Sequence, residues 1–518
     1  MPGCVREGRR AAEWARRQSV DAREADGGLG SGLHDGACSP QVPCPFAMSL
    51  ELFNTLSRRV EPFTVRDPAG RKVGMYCCGP TVHDYAHIGN FKTFVLADFV
   101  RRYLEFRGYE VTHVMNITDV EDKIIRRVRE TGQSLREYTG RYESAFLEDH
   151  RALNCLPPHH LPRATEYVPE IVTLIGRLLE RGLAYQATDG SVYFSIEKYQ
   201  GCGCRYGQLL NLNLEQMRPG GRVGADEYDK EAVADFALWK ARVPEDGEVF
   251  WPSPWGEGRP GWHIECSAMG MKLLGPSFDL HLGGEDLVFP HHEDEIAQSE
   301  GAGVQVPGER FVRHWIHGAF LLVEGRKMSK SLGNFFTLRD LLAKGFGGRE
   351  IRYLLLTAHY RESFNFTLDG LAGARTALAR FDECGRRLEE LAGGVEAAAE
   401  PGLVGRFTEA LDDDLNASAA WGAIFEWVRE QNRLMAEGRL PAVEAAAAFA
   451  AWRLVGGTLG LLVSTVVEVP AEVQALADQR LAARKAKDFK QADVLRDQLK
   501  ALGWVVEDTP KGPKLKRI

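Results

Sequence analysis

The chain has 518 residues, of which 44% are hydrophobic and 26% are charged. Because a single hydrophobic core stops growing near about 250 residues, this length predicts several domains. The composition is that of an ordinary globular protein, which excludes a disordered, collagen-like or disulfide-dense chain. A net charge of -8 argues against a protein that is coated in nucleic acid along its whole surface.

The ten cysteines are scattered and form no regular disulfide framework, so we expect a reducing, cytoplasmic environment. The apolar stretch 454–467 is shorter than the ~18 residues that a bilayer crossing takes, so no membrane span is predicted. Residues 1–47 lack the apolar core of a secretion signal and carry acids that oppose a mitochondrial transit peptide. We interpret them as a disordered extension or as a start codon assigned too early.

The first patterned region alternates as a β-α-β unit over 73–116. An apolar strand ends at Cys77 and Cys78, a helical pattern follows over 94–104, and a second strand covers 111–115. Similar apolar, strand-like runs return at 278–282 and 311–322. Strands separated by helices predict an α/β fold with a Rossmann-like, doubly wound parallel sheet, whose ligand crevice lies at the carboxyl ends of the strands.

The sheet is predicted to be split by an insertion, and the chain to continue into a helical region. The expected domains are a catalytic first half (48–164), a connective insertion (165–255), a catalytic second half (256–346), a helical bundle (347–468) and a C-terminal module (469–518). This last module is basic, because 478–518 holds eleven Lys and Arg residues against six acids. A local basic end on an acidic chain indicates a polyanionic partner or a solvated tail.

A first phosphate-binding motif is His87-Ile88-Gly89-Asn90, placed after a strand and at the start of a helix. The free N–H groups and the dipole of a helix N-terminus favour anions. Gly89 lets a ligand approach the backbone, and His87 and Asn90 are candidate donors to phosphate oxygens. Four residues alone are also compatible with a capped helix and an exposed histidine.

A second motif, Lys327-Met328-Ser329-Lys330-Ser331-Leu332-Gly333-Asn334, lies some 240 residues further on. Lys327 and Lys330 are three residues apart on a glycine-flanked loop, so both could close over a pyrophosphate, with Ser329 between them. The alternative for this loop is a solvated basic turn. The two motifs together, in this order and each at a strand end, favour nucleotide chemistry.

Four candidate metal ligands come from three distant segments: Cys78, Cys266, His291 and Glu295. His291 and Glu295 are four residues apart, so on a helix they share one face. Two thiolates, an imidazole and a carboxylate form a donor set that suits zinc. Spacing alone leaves open whether the four residues meet.

These motifs resemble the HIGH and KMSKS signatures of class I aminoacyl-tRNA synthetases, with Asn90 in place of the second histidine. The segments 76–90, 261–269 and 289–299 resemble the cysteinyl-tRNA synthetase family in particular. The resemblance covers nearly all of 48–518 and none of 1–47. It implies that the chain activates L-cysteine with ATP and magnesium and then esterifies the 2′-hydroxyl of the terminal adenosine of a cysteine tRNA.

The resemblance also implies that Cys78, Cys266, His291 and Glu295 bind one zinc ion that takes the substrate thiolate as a further ligand. A serine hydroxyl is a poor zinc ligand at neutral pH, so such a site would reject serine. Trp262, His263 and His281 resemble positions near the family's amino-acid pocket, with a packing role as the alternative. Thr118, in the segment 116–119 at the end of the second strand, resembles a segment beside that pocket, and a helix N-cap before Val120 is its alternative. Cys202 and Cys204 have no obvious second pair, which favours free thiols over a second metal site.

The C-terminal run 485–499 resembles the family's C-terminal part, which indicates anticodon recognition. We predict one helix over 471–499 that carries basic side chains, namely Arg484, Lys485, Lys487, Lys490 and Arg496. Trp504 either stacks on a base or forms the core of the module. We expect a monomer. The alternatives are a cysteine-activating ligase of mycothiol synthesis, which would not need this module, and a non-catalytic, zinc-stabilised tRNA-binding scaffold.

Overall fold

The structure is a computed structural model that describes residues 49–210, 235–329, 332–462, 471–486, 488–502, 504–509 and 512–517. The predictions made for 1–47, Lys330 and Lys487 lie outside these residues. None of the described helices is both long enough and apolar enough to traverse a membrane.

The strands of the described residues are β1 (Glu51–Asn54), β2 (Arg59–Pro62), β3 (Lys72–Cys77), β4 (Glu110–Met115), β5 (Ala184–Gln186), β6 (Val192–Phe194), β7 (Phe236–Ala241), β8 (Gly258–Pro260), β9 (Phe278–Gly284), β10 (Val312–Gly318), β11 (Leu321–Val323), β12 (Arg326–Lys327), β13 (Phe364–Phe366), β14 (Trp504–Thr509) and β15 (Gly512–Arg517).

The α-helices are α1 (Ile88–Phe106), α2 (Asp122–Thr131), α3 (Leu135–Ala152), α4 (Val168–Glu180), α5 (Ile196–Gly201), α6 (Trp262–Leu274), α7 (Glu293–Gly301), α8 (Leu338–Ala343), α9 (Gly348–Leu355), α10 (Leu368–Ala392), α11 (Pro401–Asp412), α12 (Ala417–Ala436), α13 (Ala442–Thr458), α14 (Ala471–Lys485) and α15 (Phe489–Ala501).

The central sheet has the order β10-β9-β3-β4, and every neighbouring pair is parallel. Two strands come from each half of the catalytic region, and β3 pairs directly with β9 in the register Cys77 to Leu282. The predicted parallel sheet, split by an insertion, is therefore confirmed. Its strands are almost wholly buried because helices cover both faces, as parallel sheets require.

Within the predicted insertion, β5, β6 and β7 form an antiparallel sheet that β8 closes. Its apolar face packs on α4 through a core that includes Ile171, Ile175, Phe194 and Trp239. The predicted run 311–322 is two strands rather than one, since the ladder of β10 ends at Gly318 and β11 joins a different, three-stranded sheet.

The region from α9 to α13 is helical, as predicted, apart from the short strand β13, and α10 packs along α13 and α11 along α12. A fully buried ion pair ties it to the catalytic region, because Nη2 of Arg352 lies 2.5 Å from Oδ2 of Asp98 in α1. A buried guanidinium is tolerated only when it is paired, so this contact fixes the register between the two regions.

The C-terminal part differs from the single predicted helix over 471–499. There are two helices, since α14 ends at Lys485 and α15 begins at Phe489, and Asp488 caps α15 by accepting a hydrogen bond from the N–H of Gln491. The two helices pack against each other and on the antiparallel pair β14–β15. Trp504 is 4% exposed and lies in the small core with Leu499, so it serves packing. The exposed aromatic ring of the module is Phe489, at 61%.

Candidate active site and metal centre

Cys78 is the first residue after β3 and lies at the carboxyl end of the central parallel sheet. Its N–H donates to the carbonyl oxygen of Leu282 at 3.2 Å, which holds it against β9. Gly79 follows, and a Cβ there would lie 1.6 Å from the carbonyl oxygen of Asn116. Only glycine therefore lets the chain turn at this point and keeps the Cys78 thiol at the end of the sheet.

The structure brings the four candidate metal ligands together. Within a set formed by Cys78, Cys266, His291 and Glu295, one donor atom from each lies within 4.8 Å of all the others. The two sulfurs are 3.9 Å apart, Sγ of Cys78 is 3.8 Å from Oε1 of Glu295, and Nε2 of His291 is 3.1 Å from the same oxygen. All four side chains are buried. A π-helical turn over Val288–His292 runs directly into α7, so His291 and Glu295 lie four residues apart on one continuous helical stretch.

These distances fit a tetrahedral zinc site. Zinc with sulfur at about 2.3 Å and nitrogen or oxygen at about 2.0 Å separates two sulfurs by about 3.8 Å and a nitrogen from an oxygen by about 3.3 Å. The measured separations of 3.9 and 3.1 Å are close to both values. Two soft sulfurs with one imidazole and one carboxylate also match the donor preference of zinc.

The electrostatics of the cluster favour a cation. A hydrogen bond from Cys78, helped by His291, lowers the pKa of the Cys266 thiol to about 6. Burial works against a charged Glu295, but the neighbouring His281 and His291 lower the pKa of its carboxyl to about 2. Burial raises the pKa of Cys78 well above its usual range. Cys266 and Glu295 thus favour their charged forms. Against the effect of burial, hydrogen bonds to Cys266 and Glu295 raise the pKa of His291 to about 10, so Cys78 and His291 would release protons when a metal binds.

A second ring of histidines surrounds this set. Nε2 of His281 lies 3.0 Å from Oε2 of Glu295, and Nε2 of His292 lies 3.3 Å from Sγ of Cys78. An alternative set of possible metal ligands has donor atoms that also lie within 4.8 Å of one another: Cys78, His281, His292 and Glu295. His281 holds the carboxylate oxygen that faces away from His291, as outer-shell partners of metal ligands do.

His292 and His317 were not singled out from the sequence. Nδ1 of His292 lies 2.7 Å from Nε2 of His317, whose Nδ1 lies 2.7 Å from the Thr55 hydroxyl. The two adjacent histidines at 291 and 292 are a sequence feature that could have indicated His292. His317 lies in β10, and no motif in the neighbouring sequence indicates its role.

The proposed pocket residues lie around His291 and the end of β4. The ring of Trp262 is half-buried, with its centroid 4.6 Å from that of His291. Nδ1 of His263 lies 2.8 Å from Nδ1 of His291. Thr118 is buried, and its hydroxyl accepts a hydrogen bond from Nδ2 of Asn116 at 3.2 Å. His281, in contrast, lies behind Glu295 and stacks on Trp315.

The first phosphate motif is a helix N-terminus with a capping box. Nδ1 of His87 accepts from the N–H of Asn90, and Oδ1 of Asn90 accepts from the N–H of His87. Because Nδ1 accepts, the neutral imidazole carries its proton on Nε2. The cap therefore fixes the two donors of this motif, Nε2 of His87 and Nδ2 of Asn90. His87 is half-buried and Asn90 is exposed.

The second motif lies directly against the first. A Cβ added at Gly89 would lie 3.2 Å from Cε of Met328, and the N–H of Ile88 donates to the carbonyl oxygen of Phe336 at 2.9 Å. Phe335 packs edge-on against the ring of His87. The lysine loop and the helix start thus form one surface, although they are about 240 residues apart in sequence.

Asn334 organises the lysine loop and was not singled out from the sequence. Its Oδ1 accepts from the N–H of Ser329 at 2.9 Å, and its Nδ2 donates to the carbonyl oxygens of Val323 and Lys327 at 3.2 Å each. Lys327 itself is exposed at the end of β12. The position of Asn334 at the end of the lysine motif could have indicated that it supports the loop.

Comparison with known proteins defines the class first. Residues 64–376 match the family model of the class I (C) tRNA synthetase catalytic domain. Residues 406–463 match the DALR domain, and residues 467–513 match the cysteinyl-tRNA ligase anticodon binding domain. The split parallel sheet with two facing phosphate motifs is therefore the catalytic domain of a class I aminoacyl-tRNA synthetase.

Similar proteins identify the family within this class of synthetases. The chain is 46% identical over 478 residues to the cysteine–tRNA ligase of Chlamydia caviae, covering 90% of this chain and 98% of that protein. It is 44% identical over 478 residues to that of Protochlamydia amoebophila, with the same coverage. The chain belongs to the cysteinyl-tRNA synthetase family.

Solved structures support the fold. A Mycobacterium tuberculosis methionyl-tRNA synthetase in complex with methionyl-adenylate aligns with a TM-score of 0.55 at 15% identity, over 75% of this chain and 89% of that one. An Agrobacterium radiobacter LeuRS–tRNA–LeuAMS ternary complex aligns with a TM-score of 0.53 at 13% identity, over 77% and 84% of the two chains.

Proposed function

We propose that the chain is a cysteine–tRNA ligase. A carboxylate oxygen of L-cysteine attacks the α-phosphorus of ATP, pyrophosphate leaves, and the cysteinyl group then passes from the adenylate to the 2′-hydroxyl of the terminal adenosine of a cysteine tRNA, with release of AMP. Family membership and the three matched domains support the reaction. The observation that carries the substrate choice is the buried pair of thiols at 3.9 Å, placed at the crevice of the catalytic sheet.

Cys78, Cys266, His291 and Glu295 would hold one zinc ion. When bound, zinc supplies a Lewis acid that prefers a thiolate to a hydroxyl and so favours cysteine over serine. His281 and His263 orient Glu295 and His291 through contacts of 3.0 and 2.8 Å. Because these side chains are buried and contact one another, packing holds the ligand set in place.

The phosphates of ATP would bind across the helix start and the lysine loop. Gly89 gives access to the backbone, and Nε2 of His87 and Nδ2 of Asn90 donate to phosphate oxygens. Lys327, Ser329 and Lys330 would stabilise the charge that moves onto the leaving pyrophosphate, together with magnesium that accompanies ATP. No protein nucleophile is needed, because positioning and charge stabilisation are the main requirements of this step.

The tRNA would contact the C-terminal module. Arg484 and Lys490 are exposed there, and basic side chains of this kind suit phosphate contacts. Arg496 lies 3.0 Å from Asp493. Phe489 is the exposed ring available for stacking on an unpaired base, since Trp504 is buried. The match of 467–513 to an anticodon binding domain supports this role and argues against the mycothiol-type ligase, which has no use for such a module.

The test is cysteine-dependent ATP–pyrophosphate exchange, measured in parallel with serine, on the wild-type chain and on Cys266→Ser with zinc content determined. We expect exchange with cysteine alone, and loss of both exchange and one zinc per chain in the variant. Cys384→Ser is the matched control, because this thiol is buried in α10, away from the cluster.

A folded, zinc-loaded wild-type chain without exchange would refute the ligase and favour the tRNA-binding scaffold. Equal exchange with cysteine and serine would refute selection by the thiol cluster while leaving the ligase chemistry in place.

A further inference from the structure

A pair of exposed thiols lies outside the catalytic cluster. Cys202 caps the C-terminus of α5, and Sγ of Cys202 lies 3.0 Å from Sγ of Cys204. Gly203 between them has φ of +85°, a left-handed conformation that turns the chain back on itself. Cys202 is exposed and Cys204 is half-buried, whereas Cys77, Cys155 and Cys384 are all buried. Among the cysteines that the structure describes, this pair is therefore the one that small oxidants in solution can reach.

We propose that Cys202 and Cys204 form a reversible disulfide by exchange with a low-molecular-weight disulfide, and that the oxidised form binds cysteine more weakly. A disulfide places its sulfurs about 2.05 Å apart, so closure requires a movement of about 1 Å from the reduced separation. The ring that closes contains only one intervening residue, and the bond is exposed. Strained and exposed disulfides are the labile ones with oxidising potentials, which suits a switch rather than a structural link.

The exchange proceeds in two balanced steps. The exposed Cys202 thiolate attacks the small disulfide R–S–S–R, which forms a mixed disulfide and releases one thiol, R–SH, after protonation. The Cys204 thiolate then attacks Sγ of Cys202, forms the Cys202–Cys204 bond and releases the second R–SH. The protein pair is oxidised by two electrons, the small disulfide is reduced by two, and the two thiol protons leave on the two R–SH molecules. Burial raises the pKa of Cys204 to about 11, so the second step accelerates as the pH rises.

The pair is joined to the catalytic cluster by the residues that follow it. The phenol of Tyr206 donates to Oδ1 of Asp294 at 2.5 Å, and Oδ2 of Asp294 lies 3.4 Å from Nε2 of His263. His263 in turn contacts the candidate metal ligand His291 at 2.8 Å. Movement of Cys204 therefore reaches the cluster through Tyr206, only two residues away.

A second connection runs through the backbone of the same segment. The N–H groups of Gly207 and Leu209 donate to the two carboxylate oxygens of Glu293 at 2.7 and 2.9 Å. Glu293 is the first residue of α7, the helix that carries Glu295. The segment 204–209 thus holds the start of this helix from two sides, and a disulfide at its N-terminal end would disturb both contacts.

The test begins with chemistry on the full chain. The protein is equilibrated with glutathione disulfide and glutathione at several ratios and then digested with trypsin, which cuts after Lys198 and Arg205. The peptide 199–205 contains Cys202 and Cys204 and no other cysteine. We expect it to lose two hydrogens under oxidising conditions and to regain them with dithiothreitol. Cys202→Ser and Cys204→Ser should stop at a mixed glutathione adduct.

The second arm rests on the proposed function and measures KM for cysteine in ATP–pyrophosphate exchange. Oxidation should raise this KM by roughly threefold to tenfold, the scale of one weakened hydrogen bond to a positioning group, and reduction should restore it. The double variant Cys202→Ser/Cys204→Ser should keep the reduced KM under oxidising conditions. This control separates the pair from the thiols of the catalytic cluster.

Two results would overturn the inference. In the first, the wild-type peptide retains both thiols or carries only mixed adducts at every ratio. In the second, the disulfide forms and KM stays unchanged, or the same rise in KM occurs in the double variant. Absence of exchange in the reduced wild-type chain would instead count against the proposed function, and the peptide masses would still decide whether the pair exists.

Discussion

The two halves of the proposed active site are built in opposite ways. The cluster around Cys266 and Glu295 is buried, and each candidate ligand is in contact with another protein side chain. The proposed phosphate-binding surface is open, with Asn90 and Lys327 exposed and His87 half-buried. A cluster of buried donors selects its ligand by rigid geometry, because any misfit leaves an unpaired polar group in the interior. An exposed loop acts by closing when its anionic ligand arrives.

The comparison implies that changes in the buried cluster have the larger effects. His291→Ala should remove the bound zinc and lower kcat/KM for cysteine by more than about 100-fold, because a direct ligand matters more than its outer-shell partners. His292→Ala should retain zinc and lose only about 10- to 100-fold. Zinc content by metal analysis and exchange kinetics measure both. Loss of zinc from His292→Ala but not from His291→Ala would assign the metal to the alternative set with His281 and Cys78.

In the open half, Lys327→Ala should lower kcat of exchange by about 100-fold while leaving zinc content unchanged, because removal of one charge-stabilising donor acts in the transition state. Lys198→Ala, an exposed lysine of the insertion, is the matched control. A Lys327→Ala chain with normal kcat would show that the loop makes no contact with the pyrophosphate.

A smaller effect is expected away from the crevice. Phe489→Ala should raise KM for tRNA in aminoacylation by about tenfold, the scale of one lost base stack, without altering ATP–pyrophosphate exchange. Val494→Ala on the same helix, 52% exposed, controls for loss of apolar surface. Equal effects of the two substitutions would contradict base stacking by the ring.

The smallest effect should come from the support of the lysine loop. Asn334→Ala removes three hydrogen bonds that hold Ser329, Val323 and Lys327, so the loop should sample more conformations. We expect kcat of exchange to fall by about fivefold, with KM for cysteine unchanged. A change in KM for cysteine instead would show that the loop communicates with the buried cluster.

Much of the fold could be predicted because its signals are local. The alternation of strands and helices over 73–116 and its return near 278 predicted a split parallel sheet, and the order β10-β9-β3-β4 confirms it. The same patterns failed at element ends. The predicted helix over 471–499 is two helices, since α14 ends at Lys485 and Asp488 caps the start of α15. Apolar periodicity alone does not show where a capping residue begins a new helix.

Sequence by itself determined the residue types that can do this chemistry: two distant cysteines, the His291-to-Glu295 spacing, a helix start with His87 and Gly89, and a loop with two lysines. Only the tertiary structure decided which of them meet. Cys78 and Cys266 are 188 residues apart in the chain, and the packing of α6, which carries Cys266, against β3 and β4 brings them together. His317, Asn334 and the choice of Phe489 over Trp504 likewise depend on packing between remote segments. Such contacts leave no periodic trace in a sequence, because the side chain that completes them lies on another element of the fold.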